Sequence, residues 1–223
     1  MSTGSLFRDR RQAGKALAQV LGAYADRRDV LVLALPRGGV PVGFEVAVAL
    51  RVPLDVFIVR KLGVPGREEY AMGAIASGGV RVLNESVRRL LHISEAAIEE
   101  VARAEQQELQ RREQLYRGAR PPPDVRGRAV LVVDDGLATG STMLAAIRAL
   151  RVQQPARIVA AVPIASAETC EDLRREADHV VCARNPEPFV AVGQWYENFA
   201  QTTDEEVREL LARARLDAAA HGT

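Results

Sequence analysis

The chain has 223 residues, 48% of them hydrophobic, enough to bury one good core, and its length lies near the upper end for a single α/β domain. Thirty basic side chains against 29 acidic ones give a formal charge of +1, so no long-range field exists to hold a nucleic acid or an anionic membrane, and no nucleic-acid partner is expected. The opening stretch MSTGSLFRDRRQ lacks the apolar run of a signal peptide and nothing approaches about 18 consecutive apolar residues, so the chain is expected in the cytoplasm, outside any membrane.

A helix is predicted over Asp9 to Tyr24, packing Leu17, Val20 and Leu21 on the body with Phe7 anchoring its start. The apolar run Val30 to Leu35 reads as a strand buried on both faces of a parallel sheet. It ends in Pro36-Arg37-Gly38-Gly39-Val40, where Arg37 offers a fork of donors, Gly38 and Gly39 open the backbone, and Pro41 suits the first turn of a helix running to Leu50. A second strand is predicted over Val56 to Val59, followed by the cations Arg60 and Lys61. Gly63 to Arg67 reads as a mobile loop carrying Arg67, Glu68, Glu69 and Tyr70 along its edge. A short strand, Met72 to Ala76, ends at Gly78-Gly79. From Ser94 to Arg117 the sequence is helical and highly charged, with Ile98, Val101, Leu109 and Tyr116 on one side; a solvated covering helix is expected, with a subunit contact as the alternative. Pro121 to Pro123 form a stiff connector.

Val130 to Met143, VLVVDDGLATGSTM, carries the most chemistry. Four apolar residues, two adjacent acids, then small and hydroxyl residues before a helical pattern describe a strand, a turn and a helix start. Such a turn at the carboxyl end of a parallel strand presents backbone donors and the positive end of a helix to an anion. Gly136 and Gly140 permit close approach, and Thr139, Ser141 and Thr142 add hydroxyls. Asp134 and Asp135 would repel a phosphate and call instead for hydroxyls or a metal. No lysine follows Gly140, which excludes a nucleotide P-loop, and no G-x-G-x-x-G fingerprint occurs.

The rest of the chain alternates again: a helix over Thr142 to Leu150, a strand over Ile158 to Val162, a helix over Ala167 to Ala177 and a strand over Val180 to Cys182. Two cysteines, Cys170 and Cys182, are too few for a disulfide framework and read as inert core thiols without a catalytic role. Asn185 to Thr203 concentrates Phe189, Trp195, Tyr196 and Phe199 in a chain with only 4% aromatics, beside the polar Arg184, Asn185 and Glu197. His92, His179 and His221 form no metal-ligand set.

Val130 to Thr142 resembles the phosphoribosyl-pyrophosphate-binding motif of the type I phosphoribosyltransferases. The resemblance implies a Rossmann-like α/β fold, a parallel sheet flanked by helices, with a core over about 30–182 and a small hood from the chain ends, about 183–223, in one domain. It implies that Asp134 and Asp135 hold the ribose 2′- and 3′-hydroxyls while Ala138, Thr139, Gly140, Ser141 and Thr142 wrap the 5′-phosphate. Arg37, Gly38 and Gly39 occupy the place of the family's pyrophosphate loop, and Lys61 stands where relatives hold a pyrophosphate-binding cation. Arg37, Arg60 and Lys61 are then the residues that neutralise the leaving group. Mg2+ is the expected cofactor, met near Asp134 and Asp135 through the substrate. Trp195 and Tyr196 are candidates for stacking on the acceptor base, the alternative being that the aromatics of this cluster merely seal the sheet. Ala138 stands where enzymes for 6-oxopurines often place an acid, which disfavours hypoxanthine and guanine. The expected reaction moves the phosphoribosyl group to a nitrogen acceptor in a homodimer; the alternative is a regulatory protein that binds the same donor without turnover.

Overall fold

The computed structural model describes residues 6–221, the side chains at 68, 69 and 219–221 excepted, so the expectations for Glu68, Glu69 and His221 lie outside the described side chains. In chain order the elements are α1 (Arg10–Val20), β1 (Val30–Ala34), α2 (Gly39–Leu50), β2 (Leu54–Val56), β3 (Val59–Val64), β4 (Arg67–Ala76), β5 (Val80–Leu83), α3 (Glu85–Leu90) and α4 (Glu95–Arg117). They continue with β6 (Ala129–Val133), α5 (Ser141–Val152), β7 (Arg157–Ile164), α6 (Ala167–Leu173), β8 (His179–Arg184) and α7 (Asp204–His221).

A five-stranded sheet in the order β2-β1-β6-β7-β8, parallel throughout, forms the body. Its central strands β1 and β6 are apolar at every position because both faces are covered. Val30, Val32, Leu131 and Val133 point to the face packed by α1, α2 and α7, whereas Leu31, Leu33, Val130 and Val132 point to the face packed by α5 and α6. Alternating side chains of one strand thus feed two separate cores. Gly14 lets α1 lie close on α2, since a Cβ there would come within 2.7 Å of the Val42 carbonyl oxygen. Leu17 and Leu21 are buried as expected, but Val20 is 55% exposed: the buried stripe of α1 runs through Ala13, Gly14, Leu17 and Ala18.

The largest departure from the sequence expectation is at 56–83. The run Val56 to Val59 is two strands, β2 ending at Val56 and β3 beginning at Val59. The segment read as a mobile loop and short strand is an antiparallel sheet, β3-β4-β5, turned at Pro65-Gly66 with Gly66 at φ +73°. A proline-glycine pair with positive φ at glycine suits a tight hairpin turn as well as a longer loop. Leu62, Val64, Met72 and Ile75 of this sheet are buried with Ile98, Ala102 and Leu109 of α4 in one core, so α4 covers the small sheet with a single apolar stripe.

Cys170 of α6 and Cys182 of β8 are joined in a disulfide, which corrects the expectation of two separate thiols. The cause is tertiary: α6 folds back against β8, bringing together residues 12 apart in sequence. Among the described residues no helix is long and apolar enough to cross a membrane.

Candidate functional site

Ala34 pairs with Val133 in register, so the loops leaving β1 and β6 emerge side by side. Two consecutive glycines permit that neighbourhood. A Cβ at Gly38 would stand 2.1 Å from Asp135 Oδ2, and one at Gly39 would stand 2.7 Å from the Val133 carbonyl oxygen and 3.2 Å from Asp134 Oδ1. Any side chain at either position would push the loop off the acid pair. The Pro36–Arg37 peptide within this loop is cis.

The acid pair is half-buried. Asp134 Oδ1 accepts a hydrogen bond from the Asp135 amide at 2.9 Å. Asp135 is held at two points: Arg10 Nε donates to its Oδ2 at 2.7 Å, and the Tyr196 hydroxyl donates to its backbone carbonyl at 2.6 Å. Burial, reinforced by the neighbouring Asp135 charge, holds the Asp134 carboxyl well above the usual carboxylate range. Burial pushes Asp135 upward too, while Arg10 pulls it back. Arg10 is the member of this site that the sequence does not disclose, since it sits in the stretch Arg8-Asp9-Arg10-Arg11 where nothing separates it from its neighbours.

The glycine- and hydroxyl-rich turn at Ala138–Thr142 follows. Gly140, at φ +67°, precedes the first residue of α5, and the leading amides of a helix have no intrahelical acceptor. Ser141 donates its amide to Thr139 Oγ1 at 3.4 Å, and the two hydroxyls are 3.2 Å apart. From behind, Thr169 Oγ1 donates to the Ala138 carbonyl at 2.9 Å and the Leu137 amide donates to the Ile164 carbonyl at 3.0 Å, which fixes the turn to α6 and β7. The turn walls a depression of about 300 Å3 whose lining includes Asp134, Ala138 through Thr142, and Lys61 from β3.

Adjacent residues of a strand face opposite sides, and Arg60 is therefore turned away from the pocket that Lys61 lines. Arg60 Nε donates to Glu105 Oε2 of α4 at 2.6 Å, so the structure does not bring it to the expected leaving-group cations. Arg37, one-third exposed, lies 3.7 Å from Asp204 at the start of α7, and the Tyr116 hydroxyl of α4 donates to the same carboxylate at 2.5 Å.

The aromatic cluster is divided. Tyr196 is buried, its ring 5.7 Å from Phe7 and 4.9 Å from Phe199, so it takes the sealing role, at the junction of the two chain ends, and not the stacking role on an acceptor base. Trp195 is half-buried, and its Nε1 is the buried side-chain polar atom without a partner among the described residues. Asn185 donates to the Ala165 carbonyl at 3.1 Å, and Arg184 stacks 3.9 Å over Phe7, so both are engaged within the protein. Among the described residues no three His, Cys, Asp or Glu side chains converge as a metal cage.

Residues 5–194 match the phosphoribosyl transferase domain. A Mycobacterium tuberculosis protein, present in two strains and assigned by name, provisionally, to the phosphoribosyl transferases, is 49% identical over 217 residues, covering 97% of this chain and 49% of its own. The chain thus spans about half the length of the curated relatives it matches. A crystal structure of a Thermus thermophilus protein superposes with a TM-score of 0.84 at 42% identity, covering 93% of this chain and 98% of that one. An Aquifex aeolicus protein at 11% identity and TM-score 0.50, covering 91% of this chain and 85% of that one, shares the fold alone. The β1 and β6 loops therefore meet in a scaffold with known relatives, and the chain belongs to the phosphoribosyl transferase domain family, with the type I fold.

Proposed function

We propose that the chain transfers the 5-phosphoribosyl group of phosphoribosyl pyrophosphate to a nitrogen acceptor, releasing pyrophosphate. The observation that carries this reading is the seating of Gly38 and Gly39 directly on Asp134 and Asp135, beside the Ala138–Thr142 turn. One cleft then offers an anion-binding turn, a pair of hydroxyl-binding acids and a glycine loop with a cation. In this reading the turn takes the 5′-phosphate, the acids take the two ribose hydroxyls, and the β1 loop takes the pyrophosphate.

Replacement at the anomeric carbon passes through a state with oxocarbenium character, so the departing pyrophosphate must be stabilised as negative charge accumulates on it. Lys61, which lines the depression, and Arg37, on the β1 loop beside Asp204, are the cations for that role, and Arg60 drops out because Glu105 holds it elsewhere. The donor set, two carboxylates without a third converging ligand among the described residues, fits a hard cation held largely by substrate oxygens rather than by a protein cage. Asp134 and Asp135 would meet Mg2+ there, and the ion when bound supplies further positive charge to the leaving group. Trp195 remains the candidate to face the acceptor, and Ala138 provides no acid to handle a base proton, which points away from 6-oxopurines. A homodimer is the expected assembly, checked by sedimentation.

Titration calorimetry with phosphoribosyl pyrophosphate, with and without Mg2+, tests the site: binding strengthened by the ion supports it, and no binding in either condition overturns it. A second reading, donor binding without turnover, is favoured by the withdrawal of Arg60 and the engagement of Arg37 with Asp204. Pyrophosphate release across a panel of nitrogenous acceptors decides between the two, since a regulatory protein binds the donor and releases none.

A further inference from the structure

We propose that Arg10 is a positioning residue for ribose recognition, holding Asp135 so that one carboxylate oxygen faces the sugar. The inference rests on the assignment of the acid pair to the ribose hydroxyls. Arg10 lies on α1, far in sequence from the strands that build the cleft, yet its side chain is only 12% exposed and is fixed three ways. Nε donates to Asp135 Oδ2 at 2.7 Å, Nη1 donates to the Ala200 carbonyl at 2.7 Å, and the guanidinium stands 4.0 Å over the Phe199 ring.

This arrangement does more than neutralise charge. A carboxylate is free to rotate about its bond to Cβ, and two adjacent acids repel each other, so an unbraced Asp135 would turn toward solvent. Arg10 pins Oδ2, the Tyr196 hydroxyl pins the backbone carbonyl of the same residue, and Arg10 is the one side chain among the described residues that donates to this carboxylate. With Oδ2 fixed, the orientation of the other oxygen is set as well, and that oxygen is the one offered to a hydroxyl. Gly38 completes the device from above: a Cβ there would lie 2.1 Å from Asp135 Oδ2 and 3.3 Å from Arg10 Nε, so the β1 loop covers the ion pair and shields it from water. An arginine suits this place better than a lysine, because its planar fork serves the carboxylate and the Ala200 carbonyl together while its face rests on an aromatic ring.

A positioning role and a merely structural one make different predictions for the two halves of the donor. Ribose 5-phosphate engages the acids and the phosphate turn; inorganic pyrophosphate engages the β1 loop and Lys61. Calorimetric titration of wild type, Arg10→Gln and Arg10→Lys with each compound separates them, with thermal unfolding confirming that each variant is folded. The expected result is a loss of ribose 5-phosphate affinity of at least about tenfold in Arg10→Gln, a smaller loss in Arg10→Lys, and pyrophosphate affinity within about twofold of wild type in both. Equal losses for both ligands, or unchanged ribose 5-phosphate affinity in Arg10→Gln, would overturn the inference. If Arg10→Gln does not fold, the same inequality between ligands is required of Arg10→Lys, and its absence there is equally decisive. Wild-type protein that binds pyrophosphate but not ribose 5-phosphate overturns the assignment of the acid pair itself, a result distinct from failure of the Arg10 variants.

Discussion

Replacing Asp134 by asparagine should make the ligand-free protein more stable while removing its affinity for the donor. The carboxyl is half-buried, lies next to a second acid, and accepts one hydrogen bond, from the Asp135 amide at 2.9 Å. Asparagine keeps an oxygen for that bond and discards the charge. The gain is expected at about 1–2 kcal/mol, within the range found when a functional site is relieved of strain, which for a chain of this size raises the unfolding midpoint by roughly 2–8 °C. The sign with pH follows from the upward displacement of the Asp134 pKa, caused first by burial and then by Asp135. A carboxyl raised on folding stabilises the folded state while protonated, fully so below its unfolded value of 3.8, and loses that contribution as the pH rises through its folded value. Wild type and variant should therefore unfold at nearly the same temperature near about pH 4 and diverge toward about pH 7.5, the variant higher. Loss of a charge-assisted acceptor should weaken donor binding about 10- to 100-fold. Scanning calorimetry across that pH range, paired with titration at its upper end, is the assay. A variant less stable than wild type at neutral pH, or an offset that does not vary with pH, would refute the argument.

Lys61→Gln should weaken pyrophosphate binding by about fivefold or more, as expected for loss of a charged partner, whereas Arg60→Gln should leave it within about twofold because Glu105 holds Arg60 on the opposite face; parallel titrations check the contrast. Gly39→Ala drives a Cβ to 2.7 Å from the Val133 carbonyl oxygen, a backbone atom that cannot step aside, so a loss of about 1–3 kcal/mol in denaturant unfolding is expected, together with impaired donor binding. Tyr196→Phe retains the ring packing and deletes the 2.6 Å bond to the Asp135 carbonyl, leaving that acceptor unpaired at a cost of about 1–2 kcal/mol, read from the same unfolding experiment.

Local chemistry made much of this legible in advance. The continuous apolar run of Val130 to Val133 marks a strand covered on both faces, and the acids, glycines and hydroxyls after it lie in one unbroken stretch, so their joint meaning survives without coordinates. Gly38 and Gly39 were legible as an open loop, but their contact with Asp134 and Asp135 depends on β1 and β6 being neighbours, a property of sheet order rather than of either segment. The hairpin at 59–76 was missed because Pro65-Gly66 serves a loop or a tight turn equally well, and its register with β5 and α4 comes from tertiary packing. Arg60 and Lys61 look equivalent as a dipeptide; only strand alternation separates them. Tyr196 stays undecided between stacking and sealing for a similar reason, since clustering of aromatics reveals apolar surface but not which ring ends up inside. Arg10 left no trace at all, because an ion pair between an opening helix and a distant turn is written in topology.

The contacts of Arg10 also say something about the order in which the molecule is completed. Its partners Asp135 and Ala200 follow it by 125 and 190 residues. The Ala138–Thr142 turn joins β6 to α5 and is braced by Ile164 of β7 and Thr169 of α6, all of them synthesised before Ala200. The brace on Asp135 instead waits for two long loops to close, the slow kind of contact in folding. Setting Asp135 is therefore among the last steps by which the fold is completed. The state of Asp135 thus reports whether the first and last segments have met, and a chain interrupted before Ala200 lacks one of the anchors that hold Arg10 against it.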